Sequence, residues 1–440
     1  MSRFPHTLLI ILSFIALAGL ATYLLPTGEY ERVTDPGSGR EVVVPGSYHH
    51  VEASRLSPFA ILVGIPRGIA AGVEVIVSIF IAGACFFVVE KTGALRQGIL
   101  LITAKLHGRE ELTLVLTGLF FLMGGTLEGM EEELIPLTPV LLMLTRRLGY
   151  DAFVAIAVGY GSAEIGAAFS PFNPFGAVLA QKIAQVPLLS GAAFRLVVLG
   201  IAFTAWMILI ITYGRKHRIT KEAGDELPAL SKRHNIILIA VVLTFAVLIY
   251  GMTYRGWGFN ELSAEFFILA ALAGLIGGLG FNGTCSAFVE GLKEMTFASL
   301  IVGFAHAIPL VLKDGKVLDT IIYGLFIPMK TLPANLSAIG MMASQSVLHV
   351  VIPSYTGQAA LTLPILAPVT DLIGLPRQVC VLAFQYGAIL MNTLSPTNGA
   401  LMAVLALSGI GYDRWLWFAL KRIGVIYLIG IAAVILAGII

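Results

Sequence analysis

Long apolar stretches alternate with short polar ones along nearly the whole chain. The runs at 7–25, 69–89, 193–213, 235–252, 264–281, 296–312 and 414–439 come close to the roughly 20 apolar residues that a helix needs to cross a bilayer. Two further runs, 151–186 and 376–411, are long and interrupted in mid-course, while 111–145 and 335–372 are too long for one crossing and broken in the middle. This pattern predicts an all-α polytopic membrane protein. The first run is read as a retained helix, because Leu25-Pro26-Thr27-Gly28 follows it where a signal peptide would show a small-residue cleavage site. The polar stretch 26–56 reads as strand, turn and strand over 30–33, 35–39 and 41–44, a small cap outside the membrane.

The broken runs carry the most information. In 111–145 an apolar arm at 112–123 is followed by Gly124-Gly125-Thr126-Leu127-Glu128-Gly129-Met130-Glu131-Glu132-Glu133 and then a second arm at 134–144. Twelve helical residues span about 18 Å, short of a full crossing. A re-entrant helix–turn–helix with its tip near the membrane midplane is expected. Backbone at that depth is tolerated only when it is buried or lines a wet cavity. The run 335–372 has arms at 335–352 and 359–372 around Pro353-Ser354-Tyr355-Thr356-Gly357-Gln358. The spans 151–186 and 376–411 hold Ser170-Pro171-Phe172-Asn173-Pro174 and Ser395-Pro396-Thr397-Asn398-Gly399. Proline removes a backbone donor and frees a carbonyl one turn earlier, so both spans are expected to unwind inside the membrane. Helix ends exposed there offer N–H groups to anions and carbonyls to cations.

A shift of 225 residues lays 126–173 on 351–398 without a gap. Pro139 then meets Pro364, Gly149 meets Gly374, and Ser170-Pro171-Phe172-Asn173 meets Ser395-Pro396-Thr397-Asn398. Basic residues orient the spans. With Arg3 and the N-terminus in the cytoplasm, 17 Lys and Arg fall inside, 10 outside, and Lys182 within a span. The two copies then face opposite ways. The chain divides into a first repeat at 1–213, a cytoplasmic linker at 214–234, a linking helix at 235–263 and a second repeat at 264–440. Inverted repeats with paired interrupted helices point to a secondary transporter and to its site.

Composition narrows the choice further. Hydrophobic residues form 57% of the 440-residue chain and charged ones 12%, against about 25% charged in a soluble domain. That excludes a soluble globular enzyme and a disordered chain. A net charge of +2 carries no nucleic-acid signature. Cys85, Cys285 and Cys380 lie in apolar runs and are expected to be small buried hydrophobes. No P-loop, HExxH or GxSxG motif is present, so neither an ATP-driven pump nor an enzyme is expected.

Ionisable groups at bilayer depth are functional candidates by default. At helical spacing Glu128, Glu131 and Glu132 share a face and Glu133 lies to the side. They are expected to meet a cationic group of a substrate or a coupling cation, against a shallower, solvated turn as the alternative. Glu164 is a candidate for cation or proton coupling, or else a structural pair with Lys182 or a tip residue. The proposed substrate contacts are Thr126, Glu128, Glu131, Glu132, Ser170, Asn173, Ser354, Thr356, Gln358, Ser395, Thr397 and Asn398. Ser170, Asn173, Ser395 and Asn398 join Glu164 as ion-coupling candidates. His306 and His349 are read as packing residues with a proton role as the alternative.

The stretches 124–136, 169–191 and above all 352–411, with Gly357-Gln358-Ala359-Ala360-Leu361-Thr362 and Arg377-Gln378-Val379, resemble the YfcC-type basic amino-acid (arginine/ornithine) antiporter family. That family falls in the ion-transporter superfamily and is related to the anaerobic C4-dicarboxylate carriers. The resemblance implies inverted halves, each with a re-entrant hairpin and a broken helix, and a transport domain moving against a scaffold, usually in a homodimer. It implies no cofactor beyond Na+ or H+ as coupling ion. The expected function is secondary transport of a small polar metabolite across the cytoplasmic membrane, with exchange of basic amino acids first. A Na+- or H+-coupled carboxylate carrier is the alternative, and a channel is the alternative from another class.

Overall fold

A computed structural model describes residues 6–34, 41–53, 55–106, 108–221 and 231–439, without the side chains of 102–104, 128, 253 and 330. Among these residues nine helical stretches are long and apolar enough to cross a membrane. The chain opens with α1 (Thr7–Leu24). In the cap that follows, β1 (Gly28–Glu29) pairs antiparallel with β4 (His49–His50), and β2 (Arg32–Thr34) with β3 (Glu41–Val43), Val33 opposite Val42. The expected strands are there; the turn at 35–39 and Arg3 lie outside the described residues.

Next come α2 (Pro58–Ala71), α3 (Val73–Lys91) and α4 (Ala94–Lys105). The first hairpin is α5 (Glu110–Glu128) and α6 (Leu134–Arg147). The first interrupted span holds α7 (Ala152–Ile156), a π-helical turn at Ala157–Gly161, α8 (Ser162–Phe169), a second π-helical turn at Pro174–Val178 and α9 (Leu179–Ile183). Helix α10 (Ala192–Lys216) ends this half. The other half has α11 (Lys232–Arg255), α12 (Phe259–Ile276), α13 (Gly280–Ala305), α14 (Ala307–Asp314) and α15 (Leu318–Phe326). Its hairpin is α16 (Ala334–Val351) and α17 (Tyr355–Leu372), and its interrupted span is α18 (Arg377–Met391) and α19 (Gly399–Ser408). The last helix is α20 (Tyr412–Ala437).

Element boundaries keep the spacing of the sequence repeat. α6 and α17 end at Arg147 and Leu372, α7 and α18 start at Ala152 and Arg377, and α9 and α19 end at Ile183 and Ser408. In each half the hairpin's first arm lies against the broken helix through a bare glycine. A Cβ on Gly166 would stand 2.2 Å from the Leu122 carbonyl oxygen, and one on Gly387 would stand 2.3 Å from that of Met342.

Three expectations need correction. The first arm does not stop at Met123: α5 has 19 residues, about 28 Å, so its length alone does not prevent a crossing. Gly124 and Gly125 do not break it, because Gly125 serves close packing; a Cβ there would meet the Ala163 carbonyl oxygen at 1.9 Å. The second tip is shorter than expected, since Tyr355 to Gln358 already form the first turn of α17, capped by Ser354. Cys85 and Cys380 are buried, but Cys285 is exposed, on a helix α13 that begins well before the apolar run at 296–312.

The cap is fastened to the second half. Arg32 Nη2 reaches both Asp319 carboxylate oxygens at 2.8 and 2.9 Å, and Asp319 Oδ2 also accepts from Tyr30 N at 2.9 Å. Tyr48 stacks on Tyr323 with ring centroids 4.0 Å apart.

Candidate functional site

The two hairpin tips meet around one cavity of about 340 Å³. The first tip contributes Gly129, Glu131, Glu132 and Glu133; the second contributes Pro353, Ser354, Tyr355 and Thr356; Asn398, Gly399 and Ala400 come from the second break. Phe175, Trp257, Phe259 and His306 are also in the lining. Among the described residues no Lys or Arg lines it. Among the described residues no ion pair involves Glu131, Glu132, Glu133 or Glu164. Carboxylates buried without a cation are costly to keep ionised. The arrangement therefore attracts a cationic group or protons.

Gly129 closes α5 in a left-handed conformation, φ 74° and ψ 37°. The chain from there to Glu133 is not helical, so the helical-spacing argument fails for the glutamates. Glu133, expected off to the side, joins the cavity, and its carboxylate accepts from Glu131 N at 3.1 Å. The Glu128 side chain lies outside the described residues.

At the first break Ser170 and Asn173 are buried and do not line the cavity. Ser170 Oγ donates to the Thr126 carbonyl at 2.6 Å and accepts from Phe172 N and Asn173 N, both at 2.8 Å. Asn173 Oδ1 caps Phe175 N and Gly176 N at 2.9 Å, while Nδ2 donates to the Gly125 carbonyl at 3.1 Å. These two side chains therefore hold the break to its own hairpin. Thr126 Oγ1 turns back to the Leu122 carbonyl. Arg195, fully buried on α10, donates to the Ser170 carbonyl at 3.3 Å and to Gln385 Oε1, and Gln385 Nε2 donates to the same carbonyl at 3.2 Å.

The second break behaves differently. Asn398 Oδ1 caps Leu401 N at 2.7 Å, as its counterpart does. Its Nδ2 instead crosses to the opposite hairpin, donating to Glu131 Oε1 at 2.5 Å and to Asn392 Oδ1 at 3.0 Å. Tyr160 adds its hydroxyl at 3.4 Å from Glu131 Oε1 and 3.2 Å from Asn398 Oδ1. Asn392 Nδ2 donates to Glu164 Oε2 at 2.9 Å, and Glu164 Oε1 has no hydrogen bond. Lys182, one of the two alternative partners for a structural pair with Glu164, is exposed. Ser395 and Thr397 bond each other at 2.6 Å, and Thr397 donates to the Val350 carbonyl at 2.7 Å. Gln358 lies inside the second hairpin against His349 and Gln345.

Of the proposed substrate contacts, the cavity thus gathers Glu131, Glu132, Ser354, Thr356 and Asn398, and Glu133 and His306 join them. Thr126, Ser170, Asn173, Gln358, Ser395 and Thr397 stand behind it as bonded supports. Sequence reasoning missed Asn392, Tyr160, Arg195 and Gln385, and the aromatic wall of Phe175, Trp257 and Phe259. An arginine inside the apolar run at 193–213 is the one signal that could have been followed.

Interrupted helices, paired hairpins and a cavity between their tips with carboxylates in an otherwise largely apolar lining define a membrane transport protein. The sequence profile of the family described as "DcuC: C4-dicarboxylate anaerobic carrier" matches residues 4–438, and the chain belongs to that family. The Escherichia coli (strain K12) protein named "Putative basic amino acid antiporter YfcC" is 31% identical over 492 aligned positions, covering 98% of this chain and 96% of that protein. An uncharacterized protein of Haemophilus influenzae is 30% identical over 410 positions, covering 89% of this chain and 80% of its own length. Among solved structures, the YdaH transporter of Alcanivorax borkumensis aligns with TM-score 0.49 and 13% identity over 98% of each chain. MtrF of Neisseria gonorrhoeae, from a class of antimetabolite efflux pumps, aligns with TM-score 0.47 and 17% identity over 100% of this chain and 96% of that one. The chain is a multi-pass secondary transporter and not an enzyme.

Proposed function

We propose that the protein exchanges basic amino acids, arginine and ornithine first, across the inner membrane. The observation that carries this reading is the cavity wall of Glu131, Glu132 and Glu133 without a basic partner. A dicarboxylate would face those carboxylates in a low dielectric with no lysine or arginine among the described lining residues to offset them. A guanidinium or ammonium group meets charge-assisted acceptors there, and the aromatic side chains in the lining, Trp257, Phe259, Phe175 and Tyr355, favour cations further. The substrate carboxylate has its own place, at the N-terminal ends of α17 and α19, where Tyr355, Thr356, Gly399 and Ala400 line the same space.

In this reading the hairpins are re-entrant, the N-terminus is cytoplasmic, and the protein works as a homodimer by alternating access. The halves correspond to the two repeats at 1–213 and 264–440. Coupling falls to protons rather than Na+ at the first break, because Ser170 and Asn173 already occupy the carbonyls that would ligate the ion. Glu164, with one free carboxylate oxygen, is the proton-coupling candidate.

Ligand-dependent thermal stabilisation of the purified protein tests the substrate class. Arginine and ornithine are expected to raise the melting temperature, and Glu131→Gln to weaken their binding roughly 10- to 100-fold, the range for a hydrogen bond to a charged group. Stabilisation by succinate and none by arginine would reverse the assignment.

A further inference from the structure

His349 is fully buried on α16, and both of its ring nitrogens face amide oxygens. Nδ1 lies 2.9 Å from Gln358 Oε1, and Nε2 meets Asn392 Oδ1. A neutral imidazole donates from one nitrogen and accepts at the other. The question is whether either amide could turn its nitrogen to the ring instead.

Backbone atoms that cannot turn answer it. Gln358 Nε2 lies 2.8 Å from the Gln345 carbonyl, an acceptor only, so Oε1 must face His349. Leu401 N–H, a donor only, lies 2.7 Å from Asn398 and fixes Oδ1 there. Asn398 Nδ2 then donates, and the Asn392 atom 3.0 Å away must be its oxygen. Asn392 Nδ2 is left for Glu164, as observed. Both oxygens that face the imidazole are thus set by the fold.

We infer that His349 carries a proton on both ring nitrogens in this arrangement, forming a buried imidazolium that serves as counter-charge to Glu164 and Glu131. This deepens the exchange reading and rests on it for its functional consequence. Among the described residues no carboxylate hydrogen-bonds to the ring. Glu164 lies one amide away through Asn392, and Glu131 lies two away through Asn392 and Asn398. Glu132 and Glu133 of the first tip and the phenols of Tyr160 and Tyr355 are the other titratable groups around those carboxylates. Amides do not pass protons along such a chain, so the coupling is electrostatic. A cationic substrate at Glu131 removes the compensation that holds the imidazolium, so His349 binds its second proton less tightly and gives it up to the medium when alternating access opens the buried ring to water. By reciprocity, protonation of His349 weakens binding of the cation by the same factor. That is substrate–proton exchange at one site.

Nitrogen-15 NMR of histidine-labelled full-length protein in nanodiscs reads the ring directly. The resonances lost in His349→Gln are expected at imidazolium shifts near neutral pH, and Glu164→Gln is expected to move them toward the neutral form. A single-tautomer neutral signal for His349 would overturn the assignment, whatever the protein transports. If His349→Gln does not fold, the Glu164→Gln shift carries the same test. Proton release on adding arginine, followed with a pH indicator in weak buffer, tests the coupling. It should fall at least severalfold in the folded histidine variant, and an unchanged yield would overturn it. Absence of arginine binding in the unaltered protein would sink the exchange reading while leaving the NMR result standing.

Discussion

At Gly129 the first tip turns with φ +74°, and a Cβ there would lie 2.7 Å from the Tyr355 hydroxyl and 2.9 Å from Asn173 Nδ2. Gly129→Ala is therefore expected to destabilise the protein by at least about 1 kcal/mol from backbone strain alone. Adding Tyr355→Phe should restore part of the loss, because it clears one clash and leaves the strain; melting temperatures of the two variants check this. Asn398→Ala removes the cap on Leu401 N and the donor to Glu131. A loss of about 1–2 kcal/mol is expected from the cap, together with weaker substrate stabilisation in the same melting experiment. Residues like these are half legible in sequence. Asn398 stands out through its repeat partner Asn173, but that one caps its own hairpin and the other crosses to the far one depends on contacts 267 residues apart. Asn392 and Gln385 have no such signal, since a polar residue in an apolar run shows nothing of what it faces.

Among the elements, the interrupted spans and paired hairpins follow from Pro, Gly and the repeat, and their ends come within a few residues of the sequence reading. The exceptions have local causes. Gly124 and Gly125 suggest a break by propensity, whereas tight packing against α8 keeps α5 helical through them. The π-helical turn at Ala157–Gly161 has no sequence signature; its Ala157 carbonyl accepts from Trp206 Nε1 at 3.0 Å. Trp206→Phe should leave that buried carbonyl unpaired and cost about 1–3 kcal/mol. Chemical denaturation in detergent would measure it, and a change within error would mean the turn does not depend on this donor.

For the molecule as a whole, the account needs the two tips to close one space from two sides. An impermeant thiol reagent should reach Thr356→Cys from one face of a sealed vesicle, at a rate that arginine changes. The helical architecture was legible because the hydropathy pattern and the matched breaks are chain-wide features, and the family was legible as a resemblance in the stretches 124–136, 169–191 and 352–411. Cavity composition was less so, because Trp257 lies in the connection between α11 and α12, Phe259 opens α12 and His306 sits at the turn between α13 and α14, places the repeat does not mark. The most direct measurement is counterflow in proteoliposomes of purified protein. Ornithine loaded inside should accelerate uptake of labelled arginine, and Glu131→Gln should abolish the acceleration. Uptake of succinate driven by a Na+ gradient, with no arginine counterflow, would contradict the account.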